Sequence, residues 1–262
     1  MTIKNPGQAV REQIRAGEWR QPTSGLAADY VQCNLVILAE QHASDFLRFC
    51  HANPKPCPLL AVSATPGDPT LPALGANIDV RTDLPRYRHW VGGILAGECD
   101  DLLELWQDDA VAFALGCSFS FEQALQAANI DVRNVSEGVN VPMYRTNIAC
   151  VPTGVFSADM VVSMRPMTPE NAIRAIQICS RFPSVHGAPV HFGDPQQIGI
   201  VDINNPDFGD RVTVKPGEVP VFWACGVTPQ VALEQAKLPL ALTHSPGYML
   251  ITDKLNTALA IF

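Results

Sequence analysis

The sequence predicts an α/β fold, and three observations carry that prediction. Apolar residues fill 47% of the 262 positions and charged residues 17%, a globular balance that leans toward buried strands. Apolar runs of strand length alternate with stretches of helical periodicity. Two of those runs, Ala112–Gly116 and Val219–Ala224, each pass through a cysteine into the start of a helix.

Taken in order, residues 7–17 form a helix stopped by Gly17, and residues 31–38 a strand. Residues 43–51 are helical and end before Asn53-Pro54. Five prolines between Pro56 and Pro72 then break the chain around a short strand at 59–62, and 78–81 is a further strand. A strand at 111–116, a helix at 120–128, strands at 139–148 and 159–165, a helix at 169–181 and a strand at 197–202 follow. Thr168 caps the second of these helices, with Pro169 at its first position. That β-α-β-β-α-β order is the ferredoxin-like two-layer unit. A strand at 219–224, a helix at 229–236 and two short strands around His244-Ser245-Pro246-Gly247 close the chain. The expected architecture is a main α/β domain built from both chain ends, 1–105 plus 195–262. A smaller α+β domain, 106–194, is inserted into it.

A net charge of −8 argues against nucleic acid or an anionic membrane as partner. The first residues, Met1 to Pro6, lack the apolar core of a secretory leader, and no apolar run reaches membrane-spanning length, so the cytoplasm is the expected compartment. Eight scattered cysteines without CxxC spacing suit a reducing compartment. No motif for an organic cofactor occurs, and the spacing of His186 and His191 matches no zinc site, so no metal ligand is assigned. A divalent metal and a homo-oligomer both stay open. The expected partner is a small-molecule carboxylate.

The chemistry concentrates at the two cysteine elbows. In Gly116-Cys117-Ser118-Phe119-Ser120-Phe121-Glu122 and in Ala224-Cys225-Gly226-Val227-Thr228-Pro229-Gln230, each cysteine falls at a helix N-terminus. Unpaired backbone N–H groups and the positive end of the helix dipole favour a thiolate there, or an anion held beside it. Ser118, or Ser120 with Gln123, reads as a cap, and Thr228 with Pro229 as the N-cap and first residue of the second helix. Cys117, Cys225, Glu122 and His191 are therefore the catalytic candidates. Ser118, Thr228, Gln230, His186 and His244 are candidates for holding substrate. Arg81 and Arg145 join them because a guanidinium fork matches a carboxylate.

Four segments together resemble the D-glutamate cyclase family, whose bacterial single-chain members are called hydro-lyases. They are Arg81-Thr82-Asp83-Leu84-Pro85-Arg86-Tyr87, Gly116 to Glu122, His186-Gly187-Ala188-Pro189-Val190-His191, and Pro220 to Gln230. The resemblance covers nearly the whole chain. It implies an α/β domain with a smaller α+β partner, and a lyase acting on a small acidic metabolite. The activity attached to the family, conversion of D-glutamate to 5-oxo-D-proline and water, belongs to a longer mitochondrial protein. No catalytic residues come with the resemblance. Two other classes stay open: an enzyme in which both cysteines serve as acid and base, as in cofactor-independent racemases, and a non-catalytic carboxylate-binding protein.

Overall fold

The computed structural model describes residues 5–261. Of the stretch considered above for a leader, residues 1–4 lie outside it. Helix α1 (Pro6–Arg15) is capped by Asn5, whose side chain accepts from the Gly7 amide. Strand β1 (Tyr30–Ala39) leads into α2 (Glu40–Ala52), then β2 (Leu59–Val62) and the hairpin β3 (Tyr87–Val91) and β4 (Ile94–Cys99). Next come β5 (Ala110–Gly116), α3 (Phe119–Ala127), α4 (Arg133–Glu137), β6 (Met143–Ala149), β7 (Asp159–Met167) and α5 (Pro169–Cys179). The chain closes with β8 (His191–Phe192), β9 (Val219–Ala224), α6 (Thr228–Ala236), β10 (Ala241–His244) and β11 (Leu250–Leu255). No described helix is long and apolar enough to cross a membrane.

The fold class is α/β, and both sheets are antiparallel throughout. The larger, of seven strands, runs β2-β5-β1-β10-β3-β4, with β11 also paired to β1. The smaller runs β6-β7-β9-β8. The segments expected to form one ferredoxin-like sheet are therefore divided between two. Strand β5 pairs with β1 and β2 in the large sheet, because it is apolar and buried on both faces and needs a central place. The fourth position of the small sheet is filled by the two-residue β8, not by 197–202. That segment opens on Pro195, capped by Asp194, as a short 3-10 turn closed by Gly199 at φ +82°. The strand expected at 78–81 is a turn with a single bridge between Thr70 and Asp79. The β3–β4 hairpin went unforeseen, though Gly92 and Gly93, both at positive φ, are a hairpin signal.

One irregularity of β1 builds the site. One edge of β1 pairs with β10 over Val36–Leu38 and with β11 over Tyr30–Cys33. Residues 245–249 leave the sheet between them, opposite Asn34 and Leu35. Three apolar layers hold the sheets. Even positions Val36 and Leu38 face a central core with Phe46, Phe113, Phe156, Val162 and Phe222, where the Phe46 and Phe113 rings meet edge-on at 4.9 Å. Odd positions Cys33, Leu35 and Ile37 face Leu71, Leu74, Val80 and Leu84. Helices α3 and α5 cover the outer face of the small sheet through Phe121, Leu125, Ala175 and Trp223.

Candidate functional site

The C-terminal ends of β5 and β9, strands of different sheets, open on one cavity of about 400 Å³. Its lining includes Cys117, Ser118, Glu122, His186, Cys225, Gln230 and His244, seven of the eleven residues singled out from the sequence. Asn34 of β1 sits between the two elbows. Its Nδ2 donates to the Gly116 carbonyl at 3.0 Å, and a Cβ on Gly226 would fall 2.3 Å from the same Nδ2. Glycine at 226 lets the second elbow close on the first.

The first elbow is charged. Ser118 holds the N-cap position of α3 but makes no side-chain capping bond; its hydroxyl donates to Glu122 Oε1 at 3.0 Å. Arg165 of β7, fully buried, pairs with the same oxygen and donates to Ser118 Oγ at 3.2 Å and Ser163 Oγ at 3.0 Å. Its guanidinium carbon lies 5.3 Å from both the Phe121 and the Trp223 ring centroids. The capping box expected from Ser120 and Gln123 does not form. Ser120 is inside the helix with its hydroxyl unpartnered, and Gln123 bonds Asp29 and Asn256 instead.

The second elbow is neutral. Helix α6 begins at Thr228 itself, so Thr228 is not its N-cap. Its hydroxyl accepts from the Val161 amide at 3.0 Å and donates to the Cys225 carbonyl at 2.9 Å, stapling α6 to β7. Thr228 is buried beside the cavity and absent from its wall. Cys225 Sγ lies 3.4 Å from Met143 Sδ, and Gln230 faces the cavity from the first turn of the helix.

The thiols do not behave as helix-end position alone suggests. The Phe119 amide donates to the Cys117 sulfur, and the Val227 and Gly226 amides donate to that of Cys225, which favours thiolates. Burial outweighs them. It pushes Cys117 up to about 12, with Glu122 adding to the rise. Cys225 rises to about 11, tempered by the Arg165 charge. Both sulfurs are thiols at neutral pH.

The two cavity histidines are neutral as well. Burial lowers His186 and His244 each to about 4. His186 Nδ1 lies 2.7 Å from the Lys55 carbonyl, and His244 Nδ1 accepts from the Leu35 amide at 3.2 Å.

Four candidates lie elsewhere. His191 donates from Nε2 to the Asp194 carbonyl at 2.8 Å, and its ring lies against Phe222. Thr228 has been placed. Arg81 pairs with Asp79 at 2.7 Å, and Arg145 with Glu234 at 3.2 Å. The nearby Asp83 is a structural anchor, buried and gripped by Arg11 and Arg15 of α1. Among the described residues no Arg or Lys lines the cavity, and Glu122 is its sole charged side chain. Among the described residues no three His, Cys, Asp or Glu side chains are grouped as a metal centre requires. Arg165 and Asn34 were missed from sequence. The one available signal for Arg165 was a guanidinium inside the mostly apolar, buried β7.

Comparison with known proteins bears on these same residues. A family model described as D-glutamate cyclase matches residues 111–253, a span holding both elbows, Arg165, His186 and His244. A protein of Verminephrobacter eiseniae named "Putative hydro-lyase" is 64% identical over 247 residues, covering 94% of this chain and 90% of its own. A similarly named protein of Bordetella petrii is 59% identical over 252 residues, covering 96% and 95%. Another, of a Bradyrhizobium strain, is 58% identical over 257 residues, covering 98% and 93%.

Proposed function

The chain belongs to the D-glutamate cyclase family and is a hydro-lyase, and we propose that it closes D-glutamate to 5-oxo-D-proline and water in the cavity between its two elbows. The observation that carries this reading is one cavity shared by two helix N-termini, with internally balanced charge. Closure joins the amine nitrogen to the γ-carboxyl carbon and expels that carboxyl's oxygen as water. Substrate and product each carry one net negative charge, so protons are moved and none is taken up or released overall. A site whose thiols and imidazoles are neutral and whose carboxylate is paired suits such a reaction.

Each part has a task. The positive ends of the α3 and α6 dipoles, whose first amides are already bonded to Cys117, Ser118 and Cys225, favour the carboxylates, the service first expected of Arg81 and Arg145. Glu122, bonded to Arg165 and Ser118, faces the ammonium. Confinement sets the amine against the carboxyl, and such orientation is worth about 7 kcal/mol or more in favourable intramolecular cases. The cytoplasm is the proposed compartment, where the eight free cysteines stay reduced.

The test is a panel of D- and L-glutamate, 5-oxoproline and hydroxy acids followed by proton NMR, with and without divalent metal. Appearance of 5-oxo-D-proline from D-glutamate is the expected result; no turnover of any compound overturns the reading. A second reading, acid–base exchange at the substrate Cα by Cys117 and Cys225, is favoured by one observation. Each sulfur receives helix N-terminal amides at the same cavity. Incubation in deuterated water decides it, because that chemistry washes deuterium into Cα and ring closure alone does not.

A further inference from the structure

His186, just past a 3-10 turn, and His244, at the end of β10, both reach the cavity, and the backbone holds their rings in opposite states. A carbonyl oxygen can only accept. The 2.7 Å contact to the Lys55 carbonyl therefore puts the His186 proton on Nδ1 and leaves a lone pair on Nε2. This ring sits on a backbone at φ +78°, just past the 3-10 turn Pro183–Val185, and its residue is almost fully buried. An amide can only donate. The Leu35 N–H at 3.2 Å therefore fixes a lone pair on His244 Nδ1 and a proton on Nε2. The Leu35 carbonyl, at 3.5 Å, is too distant to reverse this. That amide is free to orient His244 because residues 245–249 leave the sheet opposite it. With each Nδ1 tied to backbone, Nε2 is the nitrogen each ring has left for the cavity, one as acceptor and one as donor.

We propose that the two histidines are a complementary catalytic pair, His186 Nε2 as the base and His244 Nε2–H as the oxyanion donor. The assignment rests on the ring-closure reading above. Starting from the neutral amine and the carboxylic acid, the N–C bond forms and the C–O bond breaks. His186 takes the proton released by nitrogen and returns it to the departing oxygen, which leaves as water. His244 gives up no proton. It donates a hydrogen bond to the other carboxyl oxygen as negative charge grows there, a role a neutral imidazole can fill where no described Arg or Lys lines the cavity. Burial that lowers both rings to about 4 keeps them in these neutral forms at pH 7.

The experiment pairs tautomer NMR with amide substitutions in the full chain. Nitrogen-15 spectra of histidine-labelled protein, assigned by the signals lost in H186Q and H244Q, are expected to show the Nδ1–H form at His186 and the Nε2–H form at His244. The same form at both overturns the pairing whatever the substrate proves to be. For ring closure, H244A is expected to lose about 100-fold or more in kcat, and H244Q, which restores an N–H donor, to recover to within about tenfold of wild type. H186A and H186Q are expected to lose about 100-fold or more alike, because an amide is no base. Rescue by glutamine at both positions, or at neither, overturns the proposal, with thermal melts confirming that each variant folds. If wild type leaves D-glutamate unchanged, the ring-closure reading falls by itself, and the two tautomers still judge the pairing.

Discussion

The two elbows share one local design and differ in what stands behind them. Both run strand, cysteine, then a nine-residue helix, and both place the sulfur under backbone amides at the same cavity. Behind Cys117 lies an ion pair, Glu122 with Arg165, wired through Ser118. Behind Cys225 lies one neutral hydroxyl, Thr228, bonded to two backbone groups. A helix N-terminus thus supplies the amides, while the neighbours decide the charge. The first elbow carries a balanced ion pair and the second only neutral groups.

Arg165→Met breaks that contrast most severely. It strands Glu122 among described lining residues that carry no other charge, and losing one partner of a buried pair costs about 3–5 kcal/mol. A urea midpoint measurement on R165M is expected to show that loss together with loss of activity. Thr228→Val, the matching change behind the second elbow, leaves the Val161 amide without its acceptor and is expected to lose about 1–3 kcal/mol. Equal losses at the two sites would remove the distinction drawn here.

Acidification separates the charged features from the neutral histidines. An unfolded histidine titrates near 6.5, while folded His186 and His244 hold out to about 4. Between those values the unfolded chain binds protons that the folded chain refuses, so stability falls as pH drops from 6.5 to 4 and is full above 6.5. Each ring contributes about 3 kcal/mol across that window. Urea midpoints taken through the range should fall for wild type and fall less steeply for H186Q.

The elbows were legible in the sequence because every cue for them is local: an apolar run, a cysteine, then residues that begin a helix. Their meeting was not, since it depends on which sheet takes each strand. Strand β5 precedes β6 and β7 and seemed their partner, yet its alternation of Ala110, Ala112 and Ala114 with Val111, Phe113 and Leu115 suits a place between two cores. Arg165 escaped notice for the same reason, its carboxylate partner lying 43 residues away. Arg81 drew attention as part of a basic cluster, yet its partner, Asp79, is two residues off. His191 shares a glycine- and proline-containing loop with His186, and only the fold shows that one ring faces the cavity and the other Asp194.

Thiol reactivity probes the contrast more gently. Burial raises both thiols, and at Cys225 the Val227 amide and then the Arg165 charge oppose that rise, while Glu122 adds to it at both. At mildly alkaline pH Cys225 holds the larger thiolate fraction. Iodoacetamide labelling followed by peptide mapping should therefore mark Cys225 first. Cys117 reacting first would mean that the pair behind the first elbow does not govern the sulfurs.

The smallest expected effects decide whether the elbows or the arginines hold carboxylate. Arg81 and Arg145 each make a partly exposed ion pair outside the cavity, with Asp79 and with Glu234. Such pairs are worth about 0–1 kcal/mol, so R81A and R145A should melt close to wild type. Neither guanidinium lines the cavity, so kcat/KM for D-glutamate should stay within about twofold in each variant, since losing one contact that does serve the transition state costs nearer 100-fold. A large loss in R145A with unchanged stability would mean that the exposed arginine swings into the site when substrate binds, and the helix N-termini would then lose the role given to them here.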